Sequence, residues 1–128
     1  MNSYTPFSQE YLTKTPFELE SLVDRGGVLS LTLSNVSEQK LAISFDSYMA
    51  YRKRDEGDAL LTLMDMKRTG DTGKYFYLVE PSDFVEWFLK EIFVVEYHQP
   101  LTHYLVATMN DIVDVIALGP PSFSYVIA

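Results

Sequence analysis

Two alternating stretches joined by a short polar link constrain this chain more than any other feature. Leu29, Leu31 and Leu33 alternate with Ser30, Thr32 and Ser34, and Leu41, Ile43 and Phe45 alternate with Ala42, Ser44 and Asp46. Successive side chains of a strand point to opposite faces, so each stretch predicts a strand with one dry and one wet face. The link from Ser34 to Gln39 is polar apart from Val36, which predicts a hairpin. A slip of one residue would turn every Leu and Ile into water, so burial fixes the register.

The second stretch runs on as LAISFDSYMAYRKRDEGD, from Leu41 to Asp58. Tyr48, Met49 and Tyr51 continue the apolar character. Arg52, Lys53, Arg54, Asp55 and Glu56 then arrive together, closed by Gly57 and Asp58. The first half can hold a sheet together; the second belongs in water or against a partner. Tyr and Arg are enriched at interface hot spots. Tyr48, Tyr51, Arg52, Arg54, Asp55 and Glu56 are therefore the candidate partner-binding residues. The plainer alternative is a solvated strand end with an ion pair worth little.

The rest of the chain supplies further elements. Phe7, Tyr11 and Leu12 are anchors for a polar N-terminal segment, with Ser8 able to cap a short turn. Thr15-Pro16-Phe17-Glu18 has the form of a capping box and, with Leu19, Leu22 and Val23 on one side and Gly26 as C-cap, predicts a helix over 16–25. Leu60, Leu61, Leu63, Met64 and Met66 form either a short helix after Asp58 or an irregular crossing of the sheet edge. Thr69 to Gly73 is a turn, and Tyr75 to Val79 a central strand. Ser82 is a natural N-cap for a helix whose stripe is Phe84, Trp87, Phe88 and Ile92. Strands follow at 101–106 and 112–118, joined by a turn at Met109-Asn110-Asp111. Gly119-Pro120-Pro121 breaks the sheet, and the tail from Phe123 to Ile127 docks as an edge strand. The order predicts an α+β fold: an antiparallel sheet of about five strands with two or three helices packed mainly on one face.

Composition sets the boundaries. A chain of 128 residues, 47% hydrophobic and 14% aromatic, reads as a single domain over 1–128 with a real core. The net charge of −8 repels nucleic-acid phosphates and anionic lipid and favours a basic partner. The absence of Cys excludes disulfides and thiolate chemistry. The start, MNSYTPFSQEYLTK, lacks the basic and apolar regions of a signal peptide. No stretch approaches the roughly 18 apolar residues of a membrane span. A cytoplasmic location is expected.

No motif announces catalysis. His98 and His103, near Glu96, Asp111 and Asp114, are the nearest thing to a metal or acid–base set. Their spacing fits no local ligand pair, and they read as structural or surface residues. Asp114, inside an apolar strand, has no identifiable third group to complete a catalytic set. Gly70-Asp71-Thr72-Gly73-Lys74 lacks the spacing and the Ser or Thr of a phosphate loop and reads as a turn. No catalytic residues, metal or cofactor are expected.

Two segments carry a resemblance. SFDSYMAYRKRDEGD (Ser44 to Asp58) resembles a strand with an "aYR…DEG" ending found in small acidic bacterial proteins. HYLVATMNDIVDVIALGPPSF (His103 to Phe123) resembles their closing hairpin, and a Ser-started aromatic helix like SDFVEWF sits between the two. Some of these families are similar to immunity proteins that neutralise polymorphic toxins. The resemblance implies a small cytoplasmic protein-binding module whose partner is a basic toxin. One alternative is a small-ligand-binding protein or enzyme with a pocket on the sheet, using His103, Tyr104, Asp114 or Glu56. The other is a homo-oligomeric module, a homodimer paired through the C-terminal tail.

Overall fold

The central hairpin forms with the register its alternation requires. In the computed structural model, which describes residues 2–11, 13, 15–68 and 75–126, strands β3 (Val28–Ser34) and β4 (Lys40–Phe45) bury every Leu, Ile and Phe of the pattern. Leu31 lies opposite Ile43, and Leu33 opposite Leu41. Asn35 closes the turn, its Oδ1 accepting the backbone N–H groups of Ser37 and Gln39 at 3.1 and 3.0 Å.

Two antiparallel sheets build the molecule. One has the order β2-β3-β4-β9, with β2 at Glu18–Arg25 and β9 at Ser122–Tyr125. The other has the order β1-β6-β7-β8-β5, made of Tyr4–Pro6, Phe76–Val79, Thr102–Ala107, Asp111–Ala117 and Tyr48–Asp55. Their inner faces meet in one core, where Leu31, Ile43 and Phe45 pack with Phe76, Tyr104 and Val115. The outer face of the five-stranded sheet is covered by helices. Met66 of α1 (Leu60–Arg68) packs with Tyr77, Leu105 and Ile112, and Phe84 of α2 (Asp83–Glu91) sits edge-on to His103 of β7 at 5.4 Å. Among the described residues no helix is long and apolar enough to cross a membrane.

The α+β class and the antiparallel pairing match the sequence. A five-stranded sheet with helices on one face is present, but a second sheet of four strands covers its other face. Two local readings account for the difference. The predicted helix over 16–25 is strand β2. Leu19 pairs with Leu33 and Leu22 with Leu31, with a bulge between Leu19 and Ser21. The extra residue lets two apolar side chains three apart face the same core, and that spacing imitates a helix. Gly26 and Gly27 are not a helix cap but the centre of a tight hairpin turn, with φ of 61° and 81°. The run from Leu41 to Asp58 is two strands rather than one. The chain leaves β4 after Phe45, crosses at Asp46-Ser47 and enters the other sheet as β5. Ser47 secures the crossing, its C=O accepting from Leu118 N–H and its Oγ from Gly119 N–H.

Other expectations fare variously. The helix at 83–91 starts on Ser82 as predicted, with Ser82 Oγ accepting from Val85 N–H at 3.1 Å. Of the two readings of the segment after Asp58, the helix is the one that forms. The tail forms edge strand β9 against β4, and Phe7 and Tyr11 dock on the core. Leu12, Ile127, the Thr69–Gly73 turn and the loop at 70–74 lie outside the described residues.

Ile43 has no exposed surface and lies at the centre of the inter-sheet core. Ile43→Ala is expected to lower the unfolding free energy by about 2–5 kcal/mol, as measured by urea denaturation.

Candidate functional site

Strand parity brings one set of polar side chains together beneath the helices. In β8, Val113, Val115 and Ala117 face the inter-sheet core, so Asp114 faces the other way. In β7, Tyr104 and Val106 face the core, so His103 joins Asp114 on the outer face. Arg52 of β5 lies directly across from Asp114, and Arg54, two residues on, shares its face. Ser82 enters from above, at the N-terminus of α2.

These groups form one connected network. Ser82 Oγ lies 2.7 Å from His103 Nδ1, and His103 Nε2 lies 2.6 Å from Asp114 Oδ1. Asp114 Oδ2 accepts from Arg52 Nε and from Arg54 Nη2, each at 2.9 Å. Arg54 Nη1 continues to Thr62 Oγ1 of α1 at 3.0 Å. Ser82 Oγ also accepts from Val85 N–H, so one hydroxyl joins the N-terminus of α2 to the imidazole. Burial alone would raise the Asp114 pKa, but the bond to and charge of His103, together with Arg52, outweigh it and hold the carboxyl below its ordinary value. The Arg52 guanidinium also stacks 4.3 Å over the Phe84 ring.

Serine, histidine and aspartate thus occur in the bonded order of a hydrolytic triad, and the third group that the sequence withheld is Ser82. The supporting groups are committed elsewhere. Two guanidinium groups occupy the aspartate. The N–H of Asp83, the donor next to the hydroxyl, is bound to Asn2 Oδ1 at 2.7 Å. Ser82 is only 8% exposed. What the network does is brace: it ties α2 to β7, β7 to β8, β8 to β5 and β5 to α1. Beside it, Glu80, Ser82, Glu86 and Thr102 are among the residues lining a cleft of about 520 Å³.

The structure separates the sequence-predicted partner-binding residues. Arg52 and Arg54 turn to the outer face and hold Asp114. Tyr48 and Tyr51 turn to the inner side, where both hydroxyls bond Asp24 of β2; the bond to that carboxylate chiefly raises the Tyr48 phenol pKa, and partial burial, with the same carboxylate, raises that of Tyr51. Asp55 Oδ1 caps the short turn Glu56–Asp58 through Gly57 N–H at 2.8 Å. Glu56 is exposed. Tyr51 and Arg52 nevertheless line one groove, of about 240 Å³, with Ala50, Phe84 and Trp87. Trp87 is 49% exposed and stacks on Phe84 at 5.6 Å. His98 is far from His103 in role: it is exposed in the loop after α2, against Tyr97.

The sequence does carry a signal for most of the network. An Asp and a His on apolar strands, with Arg-x-Arg on a neighbour, share a face once the strands pair. Ser82 has no such signal, because only the packing of α2 brings it to His103. No family model, curated protein or solved structure matches the chain.

Removing the charge of Asp114 strands two guanidinium groups under the helices. Asp114→Asn is expected to cost about 3–5 kcal/mol of unfolding free energy. Because the folded carboxyl is more acidic than the unfolded one, its contribution is complete above the ordinary value of about 3.9 and is lost as pH falls from there through the depressed folded value. Urea titrations across that acid range should show a shallower decline for Asp114→Asn than for the native chain.

Proposed function

We propose that the chain is a small, acidic, cytoplasmic protein-binding module of the immunity type, which masks a basic toxin. The observation that carries this reading is the groove between β5 and α2. Tyr51, Arg52 and Trp87 are residue types that dominate binding energy at protein interfaces, and here they line one open depression. Its floor is stiff. Arg52 is held by Asp114 and Phe84, and Trp87 lies against Phe84 with the rings inclined by 14°. An anchor fixed before binding loses little side-chain entropy on docking, which favours a tight complex. The net charge of −8 supplies long-range attraction for a basic partner and speeds capture.

A second reading is favoured by the cleft at Ser82. A small acyl ester there would meet a hydroxyl hydrogen-bonded to an imidazole. Labelling of the native chain, but not of Ser82→Ala, by a fluorophosphonate probe would support it. An unlabelled native chain argues against it.

Tagged protein incubated in lysate of its native host, washed at increasing salt and read by mass spectrometry, tests the binding role. One stoichiometric basic protein that leaves as salt rises is expected, and co-expression with that protein should restore growth if it is toxic. Trp87→Ala should weaken capture roughly 30-fold while leaving the melting temperature nearly unchanged. An eluate with bait alone would overturn the proposal and turn attention to the unpaired edge of β9.

A further inference from the structure

The turn that ends α2 departs from the usual chemistry of helix termini. Ile92 is the C-cap. Phe93 N–H bonds Lys90 C=O at 3.2 Å and Val94 N–H bonds Leu89 C=O at 3.0 Å. This is a Schellman closure, with Phe93 at its left-handed position and φ of 57°. Glycine is favoured there because a side chain crowds the backbone in that conformation. A bulky aromatic accepts the strain when its ring is held by packing. The Phe93 ring is 97% exposed, so nothing within the described residues compensates it. Val95, next but one along the chain, is 98% exposed.

The surroundings of this tip are also specific. Glu91 and Glu96, which flank it in the chain, are both exposed, as is Lys90. Glu91 stands in the last turn of α2, where the helix dipole favours a cation instead. Two apolar side chains are thus presented in water between two exposed carboxylates.

We infer that this turn is an anchor, seating Phe93 with Val95 in an apolar socket on a basic protein. The inference rests on the binding-module reading and names a contact outside the Trp87 groove. The charge selects among occupants. A second copy would set these carboxylates against its own, and an anionic membrane would be repelled. A basic protein gains from the same charges, and the ring already stands in water, clear of its own chain.

The test compares four forms of the full tagged chain in native-host lysate: native, Phe93→Gly, the charge reversal Glu91→Lys with Glu96→Lys, and Val36→Ser. Val36 is an apolar residue 88% exposed in the β3–β4 turn and serves as the control. Phe93→Gly relieves the left-handed strain, so its melting temperature should equal or exceed the native one. It should nonetheless capture roughly 30-fold less of a stoichiometric basic partner. The charge reversal should also reduce capture, and Val36→Ser should leave it unchanged. A partner captured equally by Phe93→Gly and the native chain overturns the anchor and leaves the binding module standing. So does a partner that is acidic or is a second copy of this chain. A lowered melting temperature for Phe93→Gly overturns the anchor by showing that the ring packs internally. Capture of nothing by any form overturns both proposals.

Discussion

A buried carboxylate in the middle of a sheet is the constraint around which the outer layer of this protein is arranged. Asp114 has no exposed surface, and an unpaired charge there would cost several kcal/mol. It is satisfied by His103 from one neighbouring strand and by Arg52 and Arg54 from the other. Those partners are held in turn by the first turn of each helix, through Ser82 and Thr62. The inner layer needs no such device, because two apolar sheet faces close on one another by burial alone. The helices have less to hold them. Several large side chains of α1 face water, among them Leu60, Leu61 and Met64. Polar ties that fix geometry matter more there than in the core.

The same network changes the meaning of the charge run at 52–56. As sequence, three cations in a chain of net charge −8 suggest a recognition edge. In the fold, two of them point inward at one aspartate, and the third pairs with Asp111 at 2.9 Å. Two arginines around one carboxylate leave a positive excess on the outer face of β5, and Arg52 still reaches the groove beside Trp87.

What the sequence made legible follows physical lines. Wherever alternation was unbroken, as in Leu29–Leu33 and Leu41–Phe45, strand, face and register could all be read. The α2 helix was legible because Ser82 and the stripe that follows agree. Reading failed where one extra residue altered the period, at the bulge after Leu19, and where a strand changed sheets without a Gly or Pro to mark it, at Asp46-Ser47. Of the network, Asp114 and His103 stood out as polar residues on apolar strands, but their being neighbours depends on pairing, and Ser82 depends on helix packing. The left-handed Phe93 had no sequence signature, since the usual mark of such a position is the glycine it lacks.

The strand order has a consequence in time. β1 pairs with β6 and β9 with β4, so segments near both ends of the sequence are stitched into its middle. They also meet each other, with Tyr11 stacked on Phe123 at 4.7 Å. The local hairpins β2–β3 and β3–β4 can form early, yet the aromatic cluster joining the two sheets waits for contacts spanning most of the chain. Topologies dominated by such distant pairings fold slowly. Until those distant segments arrive, β4 and β6 each lack the neighbour that covers one of their edges.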